Sequence, residues 1–170
     1  MKQPAEPQAP PLTPDEEAAW RALGRAAIVI PRVLDCDLIE SDGLNMTEYS
    51  VLMNLSEAPD MSLRMSDLAN FVSITVSGLT RVVERLARQG LVDRVRAEAD
   101  GRGQVAVLTQ AGLTRLQEAW PSHLASVRRH VIDHLGGMDL TVFAEAISGI
   151  AAAELGPPVR RGRRPLPQGR

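Results

Sequence analysis

Ser73, Thr75, Ser77 and Thr80 open a stretch that continues to Arg81, Arg85 and Arg88, and beyond Gly90 come Arg94 and Arg96. Short hydroxyls can approach phosphates and base edges closely, and a guanidinium can bridge two acceptors such as O6 and N7 of guanine. On a helical wheel at about 100° per residue, Leu79, Val82, Val83 and Leu86 fall on one side. Ser77, Arg81, Glu84, Arg85 and Arg88 fall on the other, with Thr80 at the margin. The hydroxyls sit where a helix leaves backbone N–H groups free, which adds donors for an anion. A polar exposed face is ordinary and a Ser/Thr cap is often only a cap, so the helix alone leaves the choice open. The next segment favours groove contact. Arg94 and Arg96 alternate onto one face of an extended run, and Arg102 lies near the tip of the following turn, placed for a flanking minor groove. Ser73, Thr75, Ser77, Thr80, Arg81, Arg85, Arg94, Arg96 and Arg102 are therefore the candidate nucleic-acid contacts.

These side chains need a scaffold, and the periodicity supplies one. Leu23, Ala26, Ala27, Ile30, Leu34 and Leu38 recur every three or four residues and predict a helix over about 15–39. Thr13 would cap it, acids at 15–17 would suit its first turn, and Pro31 would kink it. After a loop over 40–45, a second helix is expected from a Thr47 cap to about residue 58, and a short third over 66–71. A fourth, over 75–89, is stopped by Gly90. Two strands follow, 91–97 and 104–109, joined by a turn containing Asp100-Gly101. A helix over 110–135, broken or bent near Pro121, and another over 138–155 complete the order. The fold class is mainly α with a small β-hairpin: a winged helix-turn-helix (about 44–109) embedded in a helical dimerisation scaffold (about 15–39 and 110–155). A proline-rich arm (1–14) and a basic tail (156–170) flank it and are expected to be disordered. The terminal helices carry more apolar surface than so small a winged-helix core can cover, which calls for a homodimer.

The formal charge of −2 hides an uneven distribution. Residues 1–70 are net −7, 71–97 net +3, 98–155 net −3 and 156–170 net +5, so positive charge gathers on the candidate contact segment and the tail. A polyanion responds to charge within about 10 Å at moderate salt. All but one of the 19 basic residues are arginines, the residue suited to planar two-pronged contacts. The single cysteine excludes an intrachain disulfide or a cysteine-rich zinc site. No apolar run approaches a membrane span and no signal peptide is expected, so a cytoplasmic protein with no membrane partner is predicted. The sequence shows no nucleophile–base context, phosphate-cradling glycine loop or specific metal motif, which argues against an enzyme and against a cofactor.

From "GLNMTEYSVLMNLSEAP" through "LRMSDLANFVSITVSGLTRVVERLARQGLVDRV" to "DGRGQVAVLTQAG", the chain resembles the MarR family of winged helix-turn-helix transcriptional regulators. The most specific piece is the wing: Asp100 and Arg102, then Leu108-Thr109, preceded by "RLARQGLVDR". The resemblance covers about 15–155. It implies a homodimer built by the first and last helices, two recognition helices in successive major grooves of a pseudo-palindromic operator, and repression as the usual outcome. Thr75, Ser77, Thr80 and Arg81 match the recognition-helix contacts, Arg102 the wing-tip arginine, and Asp100 the acid that braces the wing. Gly101 and Gly103 depart from the pattern, which often has a second arginine and a small residue there.

The resemblance also implies release of DNA by a small aromatic or anionic effector held between the dimer helices and the DNA-binding lobe. Trp20, Arg21 and Arg25 are the candidate lining from the first helix, with Tyr49 or Met53 opposite. A metal- or thiol-responsive regulator of the same fold is an alternative. His123, His130 and His134 share a helical stripe, and the last pair has ligand spacing. Cys36 is the sole thiol, yet Asp35, Asp37 and Glu40 surround it, the wrong environment for a reactive thiolate. A further alternative is a winged helix used for protein–protein contact with an acidic partner.

Overall fold

The computed structural model describes residues 10–96 and 104–155, with side chains through residue 150. The elements run α1 (Pro14–Asp42), α2 (Met46–Glu57), β1 (Ser62–Arg64), α3 (Met65–Val72), α4 (Val76–Arg88), β2 (Val92–Arg96), β3 (Gln104–Leu108), α5 (Gln110–His130) and α6 (Leu140–Leu155). The described residues are mostly helical, with one three-stranded antiparallel sheet among them in the order β1-β3-β2. This is the expected winged helix-turn-helix on a helical scaffold.

Thr13 caps α1 through a reciprocal capping box with Glu16, as its position suggested. The helix runs on through Pro31 to Asp42, three residues past the expected end, and stops where Gly43 turns left-handed at φ 64°. Helix α2 is capped by Asn45, not Thr47. The Asn45 side chain accepts from the Glu48 N–H while Glu48 accepts from the Asn45 N–H. Strand β1 was not foreseen; its three residues are too few to show alternation, and it pairs with β3 from Ser62 opposite Val107 to Arg64 opposite Val105. Helix α5 continues through Pro121 and ends at His130, five residues before the expected end, with a 3-10 turn at Ile132–Leu135.

The core sits where α2, α3, α4, α5 and the sheet meet. Tyr49, Leu52, Leu55, Leu68, Leu79, Leu86, Val92 and Leu116 are fully buried there. Helix α5 is docked onto the start of the wing at Gly112. A Cβ at that position would lie 2.1 Å from the Leu91 carbonyl oxygen, so only glycine fits. Thr109 completes the joint by donating its hydroxyl to the Gly90 carbonyl at 2.8 Å. Helices α1 and α5 are clasped by Asp37, which accepts from Ser126 at 2.5 Å, Arg129 at 2.6 Å and His130 at 3.0 Å.

The apolar surface left over is concentrated on the scaffold. Trp20, Ile28, Val29 and Ile39 on α1, Leu124 on α5, and Leu140, Val142, Ile147 and Ile150 on α6 are all exposed. Among the described residues, α6 packs on no other element to any substantial extent. No helix among them is long and apolar enough to cross a membrane.

Candidate nucleic-acid interface

Helix α4 is placed by its buried stripe. Leu79, Val83 and Leu86 point into the core, so the opposite face, carrying Ser77, Arg81, Glu84 and Arg88, is turned to solvent. Thr75 caps the helix, its hydroxyl accepting from the Gly78 N–H at 3.1 Å and lying 3.2 Å from the Ser77 hydroxyl. Gly78 has no side chain to crowd that cap: a Cβ there would come within 3.1 Å of the Thr75 hydroxyl. Ser73 turns the chain between α3 and α4 in the left-handed region, at φ 58°. Thr80, at the margin of the outward face, is half-buried, and its hydroxyl donates back to the Val76 carbonyl at 2.9 Å.

The arginines divide into two groups. Arg81 and Arg96 are exposed and make no ion pair with any described residue. Arg85 and Arg94 instead hold the lobe together. Arg85 donates from Nε to Glu48 Oε1 at 2.5 Å, tying α4 to α2, and Glu48 is buried. Arg94 donates from Nη1 to Glu84 Oε1 at 2.9 Å and from Nη2 to Gln104 Oε1, joining α4 to both strands of the wing. Each guanidinium thus spends donors within the protein, Arg94 being half-buried and Arg85 still exposed. The sequence reading missed Glu48, Glu84 and Gln104 as their partners. Only Glu48 carried a local signal, the Asn45-x-x-Glu48 box. Asp100 and Arg102 lie outside the described residues.

A convex helix face with hydroxyls at its entrance and an unpaired guanidinium behind them is chemically suited to phosphates and base edges. The flanking β2–β3 ribbon adds Arg96, directly opposite Gln104.

The candidate effector residues are not gathered within one chain. Trp20 is 65% exposed on the N-terminal half of α1, and Arg21 beside it pairs with Glu17 at 2.5 Å. Arg25 is exposed on the same half. Tyr49 is in the core with its ring 4.4 Å from that of His123, and Met53 is half-buried against the same core. The Tyr49 hydroxyl and His123 Nδ1 are buried without a hydrogen-bond partner among the described residues. Burial pushes the Tyr49 hydroxyl well above its ordinary value and lowers that of the His123 imidazole. A pocket of about 260 Å³ lies elsewhere, between α1 and α5, lined by Asp37, Glu40, Ser122 and Arg129 among others. His130 is committed to Asp37, and no cluster of metal-ligating side chains forms among the described residues. Cys36 is exposed.

This architecture has known counterparts. A sequence model of the MarR family matches residues 42–103. AbsC, a MarR family transcriptional regulator from Streptomyces coelicolor, is 39% identical and superposes with a TM-score of 0.76 over 85% of this chain and 97% of its own. Sco3205, a MarR family regulator from the same organism solved in complex with DNA, is 34% identical, with a TM-score of 0.77 over 84% and 92%. The HTH-type transcriptional repressor YetL of Bacillus subtilis is 32% identical over 85 residues, 50% of this chain and 51% of YetL. The chain thus spans about half the length of that relative. Fold, family match and the two Streptomyces regulators agree: the chain belongs to the MarR family of transcriptional regulators.

Proposed function

We propose that the chain is a sequence-specific DNA-binding repressor that acts as a homodimer. The observation that carries this reading is a division of the surface. The outward face of α4 offers Ser77 and an unpaired Arg81, whereas exposed large apolar side chains crowd α1, α5 and α6. One surface suits a polyanion and the other suits a second copy. In this arrangement α4 of each subunit enters a major groove and the β2–β3 wing follows the backbone toward the adjacent minor groove. Thr75, Ser77, Thr80 and Arg81 contact bases or phosphates, with Ser73 at the turn and Arg96 and Arg102 on the wing. Asp100 braces the wing tip, while Arg85 and Arg94 hold the reading elements in register. The scaffold helices 15–39 and 110–155 form the dimer around the winged helix-turn-helix at 44–109, and the basic tail adds non-specific affinity.

Repression is supported by the function that the name of YetL records. Control by a small aromatic or anionic effector belongs to the same proposal. Because Trp20, Arg21 and Arg25 stand apart from Tyr49 and Met53 within one chain, such a pocket would need both subunits. The test is a titration of labelled duplex from the region flanking the protein's own gene, at several salt concentrations and with excess non-specific competitor. Selective, salt-dependent binding supports the proposal. Equal affinity for every duplex, or selective capture of an acidic protein instead, refutes it.

A further inference from the structure

Helix α4 opens with an apolar step that its polar face does not account for. Val76, the first residue after the Thr75 cap, is 51% exposed. Among the described residues of α2, α3 and α4 it is the one large apolar side chain left open to solvent. Thr80 stands one turn further on, and residues four apart share a helix face. Its hydroxyl is engaged with the Val76 carbonyl at 2.9 Å, which leaves the methyl group as the part of Thr80 free to meet a partner. The isopropyl group of Val76 and the methyl of Thr80 therefore make a small apolar patch at the helix entrance.

On the DNA-binding reading, the first turn of the recognition helix is the part that reaches base edges. The major groove presents donors and acceptors almost everywhere; its apolar feature is the C5-methyl group of thymine. A valine facing cytosine or guanine there would cover polar edges without replacing their hydrogen bonds to water, which is unfavourable. We propose that Val76 and Thr80 read a thymine C5-methyl group, making the pair a specificity determinant for one A·T position in each half-site. The proposal rests on the DNA-binding reading and goes beyond it in naming the base chemistry.

The full-length protein is used to select duplexes from a randomised library, and each thymine of the selected site is replaced singly by uracil, which deletes only the methyl. Uracil at one thymine per half-site should weaken the wild-type protein about four-fold, the worth of burying one methyl-sized group. Val76→Ser, which keeps only the Thr80 methyl, should lose most of the preference for thymine over uracil. Thr80→Ser, which keeps the hydroxyl bonded to the helix and removes only the methyl, should show a reduced preference. Selective binding in which no uracil costs the wild type more than it costs both variants overturns the inference and leaves the DNA-binding reading intact. Failure to select any duplex overturns that reading and the inference together.

Discussion

The Glu48 carboxylate on α2 accepts one hydrogen bond from the Asn45 N–H at 3.0 Å and another from Arg85 Nε on α4 at 2.5 Å. One buried acid thus caps its own helix and fixes the orientation of the candidate recognition helix. Arg85→Ala would leave Glu48 buried with a missing partner. Because the Arg85 side chain is itself 44% exposed, the cost should be about 1–3 kcal/mol, below that of breaking a fully buried pair. A urea unfolding curve checks this: the midpoint should fall. Unchanged stability with weakened DNA binding would mean that Arg85 serves as a direct contact instead.

Gly112→Ala should destabilise the fold by about 1–3 kcal/mol through overpacking. The added methyl would meet the Leu91 carbonyl oxygen at 2.1 Å, backbone that cannot rotate aside. Thermal melting of the purified variant tests the docking of α5 onto the wing; a wild-type melting temperature would show that the joint is looser than described.

Much of this arrangement could be read from the sequence, because it rests on local rules. The apolar stripe of Leu79, Val83 and Leu86 located α4, and the extended runs expected over 91–97 and 104–109 located β2 and β3. What was missed is long-range or very short. Arg85 and Glu48 lie 37 residues apart, and Arg94 finds Glu84 and Gln104 each 10 residues away. No helical wheel or strand alternation records such pairs, so the partners of these arginines could not be read from either pattern. A kink is expected at Pro31 and a break or bend near Pro121, and the helices of 29 and 21 residues run on through both prolines. Strand β1 exists only because β3 offers it an edge.

Acid should loosen the α1–α5 clasp. Hydrogen bonds from Ser126 and Arg129 hold the Asp37 carboxyl at about 2, below its ordinary 3.8. The folded state binds that proton more weakly than the unfolded chain. The stabilisation is therefore complete above the ordinary value and is lost as pH falls through about 2. Melting temperatures of wild type and Asp37→Asn, compared from roughly pH 6 to pH 2, should differ most at the upper end and converge at the lower. A gap that stays constant with pH would contradict the assignment.

Val142 is 62% exposed on α6, a helix with little packing of its own within the chain. Val142→Asp should place a charge in the subunit interface at little cost to the fold of one chain. Analytical ultracentrifugation should find the wild type at twice the chain mass and the variant shifted toward a single chain. A variant as dimeric as the wild type would place the interface elsewhere.

The central claim is that paired α4 helices read one duplex, and a footprint on the DNA flanking the protein's own gene tests it most directly. Wild-type protein should protect two symmetry-related half-sites whose centres lie about one helical turn, roughly 34–36 Å, apart. Arg81→Ala should lose about 1–3 kcal/mol of that binding and relax the choice of base at one position per half-site. No protected site, or an Arg81→Ala footprint identical to the wild type in position and affinity, would contradict the account.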